Sequence, residues 1–284
     1  MVSELPSVMR DPSLEMTGKD VPGLIEAAPV LAPGTRMNVT YLGNEDLAMR
    51  VAASRAVLEH GLVPVPHISA RRILSEADLT EFLAALQEVG ASENVFSVGG
   101  DPHEPMGPYE DSLQVIRTGL LQQYGVKHVS IAGYPEGHPD IPEEKLWAAL
   151  DGKVATLREQ SLGSTILTQF GFDVDAVLAW IEKVRDRGID TFIRVGVPGP
   201  AGIKRLLAFA GRFGIASSAG IVRKYGFSLT NLLGTAGPDR FITELAERHD
   251  PGRHGEIGLH YYTFGGVAAT AKWIAEFHAK VAAR

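Results

Sequence analysis

The feature that most constrains the fold is an alternation, repeated about eight times, of short runs rich in β-branched residues with longer amphipathic stretches. The predicted strands are Ser13–Met16, Arg36–Tyr41, Val63–Ile68, Asn94–Val98, His128–Ala132, Thr165–Phe170, Thr191–Val197 and Ile257–Phe264. Helical periodicity covers about residues 20–26, 45–60, 75–89, 108–124, 142–160, 173–187, 200–213 and 267–282. This order is typical of a parallel sheet wrapped by helices. We therefore predict an α/β fold, a single (β/α)8 TIM barrel that forms one catalytic domain over residues 1–284.

Local signals support these boundaries. Ser75 followed by Asp78 resembles a capping box. Glycines typical of helix C-termini stand at Gly61, Gly90, Gly125 and Gly188. An open doubly wound sheet would give the same alternation, but no G-x-G-x-x-G follows the first strand. Residues 215–255 exceed one barrel step, which predicts a helical insertion before the last strand, around Ser228–Gly234 and Asp239–His249.

Composition excludes several classes of protein. The absence of cysteine rules out disulfides, thiolate metal sites, iron–sulfur clusters and a cysteine nucleophile. With 27 Lys and Arg against 34 Asp and Glu, no basic run is dense enough to follow a phosphate backbone, so nucleic acid is not an expected partner. No long apolar run or secretory signal is visible, which predicts a cytoplasmic protein that does not contact membranes. Whether it forms a homo-oligomer is left open.

In a barrel of this kind, catalytic chemistry lies at the C-terminal ends of the strands. The polar residues at or just past those ends are Glu15, Thr40, His67, Asp101, Tyr134, Glu136, His138, Gln169 and Tyr262. Glu15 is either a solvated residue or a buried acid with a raised pKa. Asp101 follows Gly99 and Gly100, which let a ligand approach the backbone; it could equally cap a turn. His67 is either a neutral ligand-binding histidine or a core histidine.

The segment Y-P-E-G-H-P at 134–139 has the character of a rigid binding loop. Glu136 and His138, with His67 or Asp101, are conceivable metal ligands, although no H-E-x-x-H spacing supports a metal site. Gln169 carries an amide that can donate and accept, which suits reading the edge of a heterocycle; a capping role is the alternative.

Taken in order, six segments resemble the methylenetetrahydrofolate reductase family. S-L-E-M at 13–16 is similar to its S-F-E-F, N-V-T-Y at 38–41 to S-V-T-Y, and P-H-I at 66–68 to P-H-L. G-G-D at 99–101 resembles R-G-D, A-G-Y-P-E-G-H-P at 132–139 resembles A-A-Y-P-E-x-H-P, and L-T-Q-F-G-F-D at 167–173 resembles I-T-Q-F-F-F-D. The fifth and sixth are specific in combination.

The resemblance implies a barrel with non-covalent FAD that exchanges hydride between NADH or NADPH and the 5,10-methylene-/5-methyl-tetrahydrofolate pair. It implies catalytic roles for Glu15, as general acid, and for Asp101, which tunes the flavin; Glu15 and Gln169 would bind the folate. The implied cofactor contacts are Thr40, His67, Gly100, Asp101, Tyr109, Ser112, Tyr134 and His138, with Arg158 as the cation for the FAD diphosphate. Glu15, His67, Asp101, His138 and Gln169 are expected to converge on one cavity.

The chain departs from the family pattern in two places. M-T-G-K-D at 16–20 stands where the family has F-F-P-P, and Gly99 stands where R-G-D has arginine. The second change removes a cation expected near the flavin and predicts weaker FAD binding. Two alternatives stay open: a metal-dependent lyase or isomerase barrel that uses Glu15, His67, Asp101 and His138, and a non-catalytic folate- or flavin-binding relative.

Overall fold

The structure is a computed structural model that describes residues 4–212 and 235–283. Its contacts group the chain into two compact units. The first comprises Met1–Leu14, Gly133–Leu146 and Leu167–Arg284, and the second Glu15–Ala132 and Trp147–Ile166.

The described strands are β1 Ser13–Met16, β2 Arg36–Val39, β3 Val63–Ser69, β4 Asn94–Val98, β5 His128–Gly133, β6 Gly163–Phe170, β7 Phe192–Pro198, β8 Ala201–Gly202, β9 Thr235–Ala236 and β10 Ile257–Tyr262. Eight of them close a barrel in the order β1-β10-β7-β6-β5-β4-β3-β2. Adjacent strands run parallel, as where His67 of β3 lies opposite Phe96 of β4. The predicted (β/α)8 barrel is thereby confirmed. Strands β8 and β9 form a separate antiparallel pair.

The described helices are α1 Val21–Ala27, α2 Leu47–Glu59, α3 Glu76–Glu88, α4 Ser112–Arg117, α5 Leu120–Gln123, α6 Glu143–Glu159, α7 Val174–Asp186, α8 Ile203–Arg212, α9 Asp239–Arg248, α10 Pro251–His254 and α11 Val267–Ala282. Short 3-10 helices cover Ser7–Met9, Ala28–Val30 and Ala70–Arg72. Of the helices in the described part of the chain, none combines the length and apolar character needed to cross a bilayer.

The barrel strands match the predicted ones to within two residues at each end. The single helix predicted at 108–124 is wrong, because Gly119 adopts φ +77° and separates α4 from α5. Helix α9 confirms one half of the predicted insertion, whereas Ser228–Gly234 lies outside the described residues. Gly61, Gly90, Gly125 and Gly188 all have positive φ, as helix C-terminal glycines do.

The predicted cap of α3 forms in a modified way. Ser75 Oγ accepts from the backbone N–H of Asp78 at 3.1 Å, but the Asp78 carboxylate accepts from Leu74 N at 2.9 Å instead of from Ser75. The second hydrogen bond of a capping box thus comes from the residue before the cap, Leu74, and it holds the chain between β3 and α3.

Candidate active site

Glu15 is a buried acid at the end of β1. Leu14 and Met16 are fully buried, so strand alternation turns Glu15 to the opposite face. Its side chain is 20% exposed, and its Oε2 lies 4.0 Å from His67 Nε2. Burial raises the pKa of the Glu15 carboxyl; a protonated His67 opposes the rise, and Asp20 adds to it. The structure therefore favours the buried-acid interpretation of Glu15 over the solvated one.

His67 contacts two other side chains of the second unit, Phe96 and Asn38. Its ring meets Phe96 edge to face, with centroids 4.7 Å apart. Its Nε2 lies 3.2 Å from Asn38 Nδ2. An amide nitrogen only donates, so with the Asn38 amide oriented this way His67 Nε2 accepts, and the imidazole is the neutral Nδ1–H tautomer. A neutral imidazole does little to keep Glu15 ionised, which leaves burial as the dominant influence on that acid.

One buried hydroxyl lies at the end of β2 and another at the end of β3. Thr40, directly after β2, is 8% exposed and Ser69 ends β3 at 2% exposed; among the described residues, neither hydroxyl has a hydrogen-bond partner. Gly100, at φ +97°, approaches so closely that an added Cβ would collide with Ser69 Oγ. Buried polar groups are nearly always hydrogen-bonded, so these two hydroxyls fit a polar ligand that completes them.

The Tyr109–Ser112 stretch lies just before and at the start of α4. The Tyr109 ring is buried, and burial raises the pKa of its hydroxyl. That hydroxyl has no hydrogen-bond partner in the described part of the chain. Ser112 is also buried, and its carbonyl accepts from Ser97 Oγ at 3.5 Å. Tyr109 thus offers a further buried hydroxyl, whereas the carbonyl of Ser112 is engaged with β4.

Asp101 is half of an ion pair whose other half, Arg72, is not among the sequence-predicted site residues. Arg72 Nε and Nη2 donate to its two carboxylate oxygens at 2.7 and 2.8 Å, and this bonding raises the pKa of Arg72. The neighbouring Arg71 donates to the carbonyl of Glu110 at 2.8 Å. A usable signal was present, since A-R-R directly follows the end of β3 and satisfies the strand-end criterion.

In the other unit, Y-P-E-G-H-P forms a folded loop after β5. Tyr134 and His138 meet edge to face at 5.5 Å. Burial lowers the pKa of His138, which Asp140 partly opposes, and raises the pKa of Tyr134. The backbone N–H of Asp140 donates to His138 Nδ1 at 3.1 Å. His138 is therefore neutral, with the hydrogen on Nε2.

Glu136 of this loop binds backbone. Its Oε1 accepts from Phe172 N at 2.8 Å and from Asp173 N at 3.2 Å, immediately before α7. A Cβ at Gly171 would lie 2.6 Å from the same oxygen, so glycine there permits the approach. The positive end of α7 stabilises the carboxylate. Glu136 therefore joins the loop after β5 to the loop after β6.

Gln169, near the end of β6, stands beside an aromatic cluster. Its Oε1 accepts from Phe170 N at 3.1 Å. The Phe170 ring packs against Tyr262 at 5.3 Å and Phe264 at 5.0 Å, and Tyr262 Oη donates to Thr168 O at 3.0 Å. These contacts fix the end of β6 on which Gln169 is carried.

Arg158 is not brought to the strand ends. It is exposed in the last turn of α6, ahead of the N-terminal end of β6. Lys153 of the same helix is 6% exposed, and burial lowers its pKa to about 8, partly opposed by Asp111. Asp111 caps α4 by accepting from Gln114 N. Because the same carboxylate acts on the Lys153 ammonium, Lys153 is a buried cation beside the Tyr109–Ser112 stretch. Its spacing from buried Leu150 would have revealed it in the sequence.

The metal-ligand set of the alternative hypothesis is not assembled. Within residues 4–212 and 235–283, no group of three or more His, Asp or Glu side chains is placed to hold a metal ion. Asp101 is paired with Arg72, and Glu136 accepts from backbone amides. That Glu15, His67, Asp101, His138 and Gln169 converge on one cavity stays a prediction.

The sequence model described as methylenetetrahydrofolate reductase matches residues 19–214. The chain belongs to the methylenetetrahydrofolate reductase family. The resemblance found in the strand-end motifs is confirmed.

Two relatives carry the name methylenetetrahydrofolate reductase. Methylenetetrahydrofolate reductase 2 of Saccharomyces cerevisiae is 31% identical over 128 residues, which cover 42% of this chain and 20% of the yeast protein. The 5,10-methylenetetrahydrofolate reductase of Pectobacterium carotovorum is 29% identical over 176 residues, which cover 61% of this chain and 57% of that protein. The chain thus matches about a fifth of the first relative and little more than half of the second.

Solved structures share the fold at low identity. A protein from Clostridium thermocellum, described as binding two copies of 5-methyl-5,6,7,8-tetrahydrofolic acid, has a TM-score of 0.55 at 10% identity and covers 96% of this chain and 97% of its own. Dihydropteroate synthase from Thermus thermophilus has a TM-score of 0.50 at 14% identity and covers 95% of each chain. At these identities the likeness concerns the barrel fold alone.

Proposed function

We propose that this chain transfers hydride, with FAD as cofactor, between NADH or NADPH and the 5,10-methylene-/5-methyl-tetrahydrofolate pair. The observation that carries the proposal is Glu15, a carboxyl whose pKa is raised by burial at a strand end. Family membership supports a folate reductase. The tetrahydrofolate named for the Clostridium thermocellum protein, which has the same fold, is compatible with a tetrahydrofolate substrate.

Glu15 supplies the proton that folate reduction requires. The five-membered ring of methylenetetrahydrofolate opens when N10 is protonated, which leaves an iminium carbon able to accept hydride. A carboxyl whose pKa is raised by burial keeps its proton to higher pH than a solvated carboxyl does, which suits a general acid. His67 borders the acid, with its Nε2 4.0 Å from Glu15 Oε2.

The residues at the ends of β2 and β3 fit a flavin. FAD, when bound, supplies a two-electron carrier between the nicotinamide and the folate carbon. Thr40 Oγ1 and Ser69 Oγ are buried hydroxyls in need of partners, and the close backbone at Gly100 fits a flat ring system. Lys153 fits the diphosphate better than Arg158, because it is the buried cation beside the Tyr109–Ser112 stretch. Tyr134 and neutral His138 would add neutral hydrogen-bonding contacts.

Gln169 is suited to orient the folate. With its Oε1 accepting from Phe170 N, the side-chain amide has a fixed orientation, and its NH₂ group donates toward an acceptor on the heterocycle. The aromatic rings of Phe170 and Tyr262 keep this strand end rigid. Precise placement of the amide allows it to select one edge of the pterin.

A visible spectrum under anaerobic conditions tests the proposal. Apoprotein mixed with FAD should acquire the flavin absorbance band. NADH or NADPH should bleach the band, and methylenetetrahydrofolate should restore it. A band that never forms contradicts a flavoenzyme, and a bleached band that folate cannot restore contradicts the folate substrate. Binding of both ligands without any exchange between them would instead indicate the non-catalytic relative.

A further inference from the structure

Arg72 lies where three strand-end loops meet. It ends the 3-10 helix Ala70–Arg72 that follows β3. Its guanidinium bonds both oxygens of Asp101, in the loop after β4. A Cβ added at Gly43, in the loop after β2, would collide with Arg72 Nη1, so the guanidinium lies directly against that backbone. Arg72 therefore connects the loops after β2, β3 and β4.

The residues around Asp101 do not supply this charge themselves. Gly99 and Gly100 precede it and carry no side chain. Arg71 directs its guanidinium to main-chain carbonyls, donating to Glu110 O at 2.8 Å and to Pro102 O at 3.3 Å. Planar bidentate pairing fixes the direction of a carboxylate as well as compensating its charge. Asp101 is 60% exposed, so its orientation owes more to Arg72 than to packing.

We propose that Arg72 is a positioning residue that neutralises Asp101 and aims its carboxylate, so that a dinucleotide can bind beside it. The inference rests on the proposed function, since it assumes FAD as the ligand. A dinucleotide carries negative charge on its diphosphate, and an uncompensated carboxylate nearby repels it. Arg72 supplies, from the end of β3, the positive charge beside Asp101 that Gly99 cannot provide. Weakened FAD binding is then no longer expected from Gly99.

A comparison of FAD with uncharged riboflavin, each binding to apoprotein, distinguishes an electrostatic effect of Arg72 from a structural one. For Arg72→Gln the Kd of FAD should rise about tenfold, as for loss of one charge-assisted hydrogen bond, and that of riboflavin clearly less. Arg72→Gln/Asp101→Asn should regain most of the FAD affinity, because the anion is removed together with its partner. Arg55→Gln is the matched control: it removes an exposed arginine that pairs with Glu59 on α2, and should bind FAD normally.

Several results would overturn the proposal. They are an unchanged Kd of FAD in Arg72→Gln, equal losses for FAD and riboflavin, or no recovery in the double variant. Gly99→Arg should leave the FAD affinity of the otherwise unaltered protein as it is. Nothing lies within 4 Å of a Cβ at Gly99, so a side chain can start there without a collision. A clear gain in affinity would show that Arg72 does not already supply the positive charge beside Asp101.

Failure of the proposed function can be distinguished from failure of the proposal for Arg72. If the unaltered protein binds neither FAD nor riboflavin, the flavin proposal fails, and Arg72 is then judged on the apoprotein alone. Amide hydrogen exchange across residues 99–111 should be faster in Arg72→Gln than in the unaltered protein and in Arg55→Gln. Equal exchange in all three would show that Arg72 does not position the loop that carries Asp101.

Discussion

Glu15 Oε2 and His67 Nε2 lie 4.0 Å apart, beyond hydrogen-bonding distance, while Asn38 Nδ2 approaches the same imidazole nitrogen at 3.2 Å. With Nδ2 as the donor, the Asn38 amide bonds the lone pair on His67 Nε2, which is the arrangement of a neutral imidazole. Glu15 is left with burial as the main influence on its pKa. The role of Glu15 as a proton donor can therefore be measured separately from the reduction of the flavin.

Replacement of Glu15 should split the two half-reactions. Glu15→Gln should keep flavin reduction by NADH within about tenfold, because that hydride transfer needs no proton at folate N10. Reduction of methylenetetrahydrofolate should fall by roughly 10²–10⁴-fold, the usual cost of losing a general acid. Stopped-flow absorbance with each substrate alone measures the two steps. Equal slowing of both steps, or of neither, would reassign Glu15 to a structural or flavin-positioning role.

The raised pKa of Glu15 predicts the direction of the pH dependence. Folate reduction needs the protonated carboxyl, so its rate should fall as pH rises through that pKa. The free energy of unfolding should change in the same direction. The stabilising contribution of protonated Glu15 is complete below the pKa of this carboxyl in the unfolded chain, and it is lost as pH rises through its pKa in the folded protein. Glu15→Gln should abolish both dependences. A rate that rises over this range in the unaltered protein would exclude Glu15 as the acid.

Glu136 should stabilise the junction between two loops. Glu136→Ala removes the acceptor of two backbone amides and should lower the free energy of unfolding by about 1–3 kcal/mol. Gly171→Ala should act similarly, since its Cβ would displace Glu136 Oε1. Glu136→Gln retains an oxygen acceptor and should lose less. Urea denaturation measures each variant, with exposed Glu144→Ala as control; if Glu136→Ala behaves like that control, the junction is not held by this carboxylate.

The buried ammonium of Lys153 should lower the free energy of unfolding at neutral pH and strengthen the binding of FAD. Its pKa is lowered from 10.5 to about 8, so its stabilising contribution is present above pH 10.5 and is lost as pH falls through 8. Lys153→Met should therefore raise the free energy of unfolding at pH 7, by at most about 3 kcal/mol, and weaken FAD binding. The stability gain should vanish above pH 10.5. Lys145→Met, on an exposed position of the same helix, should change neither; a destabilised Lys153→Met would show that the buried ammonium is well paired.

The barrel and one member of its candidate site follow from the amino-acid sequence alone. Hydrophobic alternation depends only on neighbouring residues, so the strands and most helix ends could be located from local patterns. Glu15 was identifiable for the same reason: a carboxylate between Leu14 and Met16 departs from such a pattern. Strand ends could likewise be searched for polar residues, because parallel strands all present their C-terminal ends to the site-forming loops.

What most of those polar residues contact is set by the tertiary fold. Asp101 pairs with Arg72, 29 positions earlier, and Glu136 binds amides 36 and 37 positions later. Lys153, and not Arg158, is the buried cation of α6, because helix packing selects which face is covered. The free energy of a charged group depends on its burial and on the partner that reaches it. Both arise from loops brought together from distant parts of the chain, which no local sequence pattern encodes.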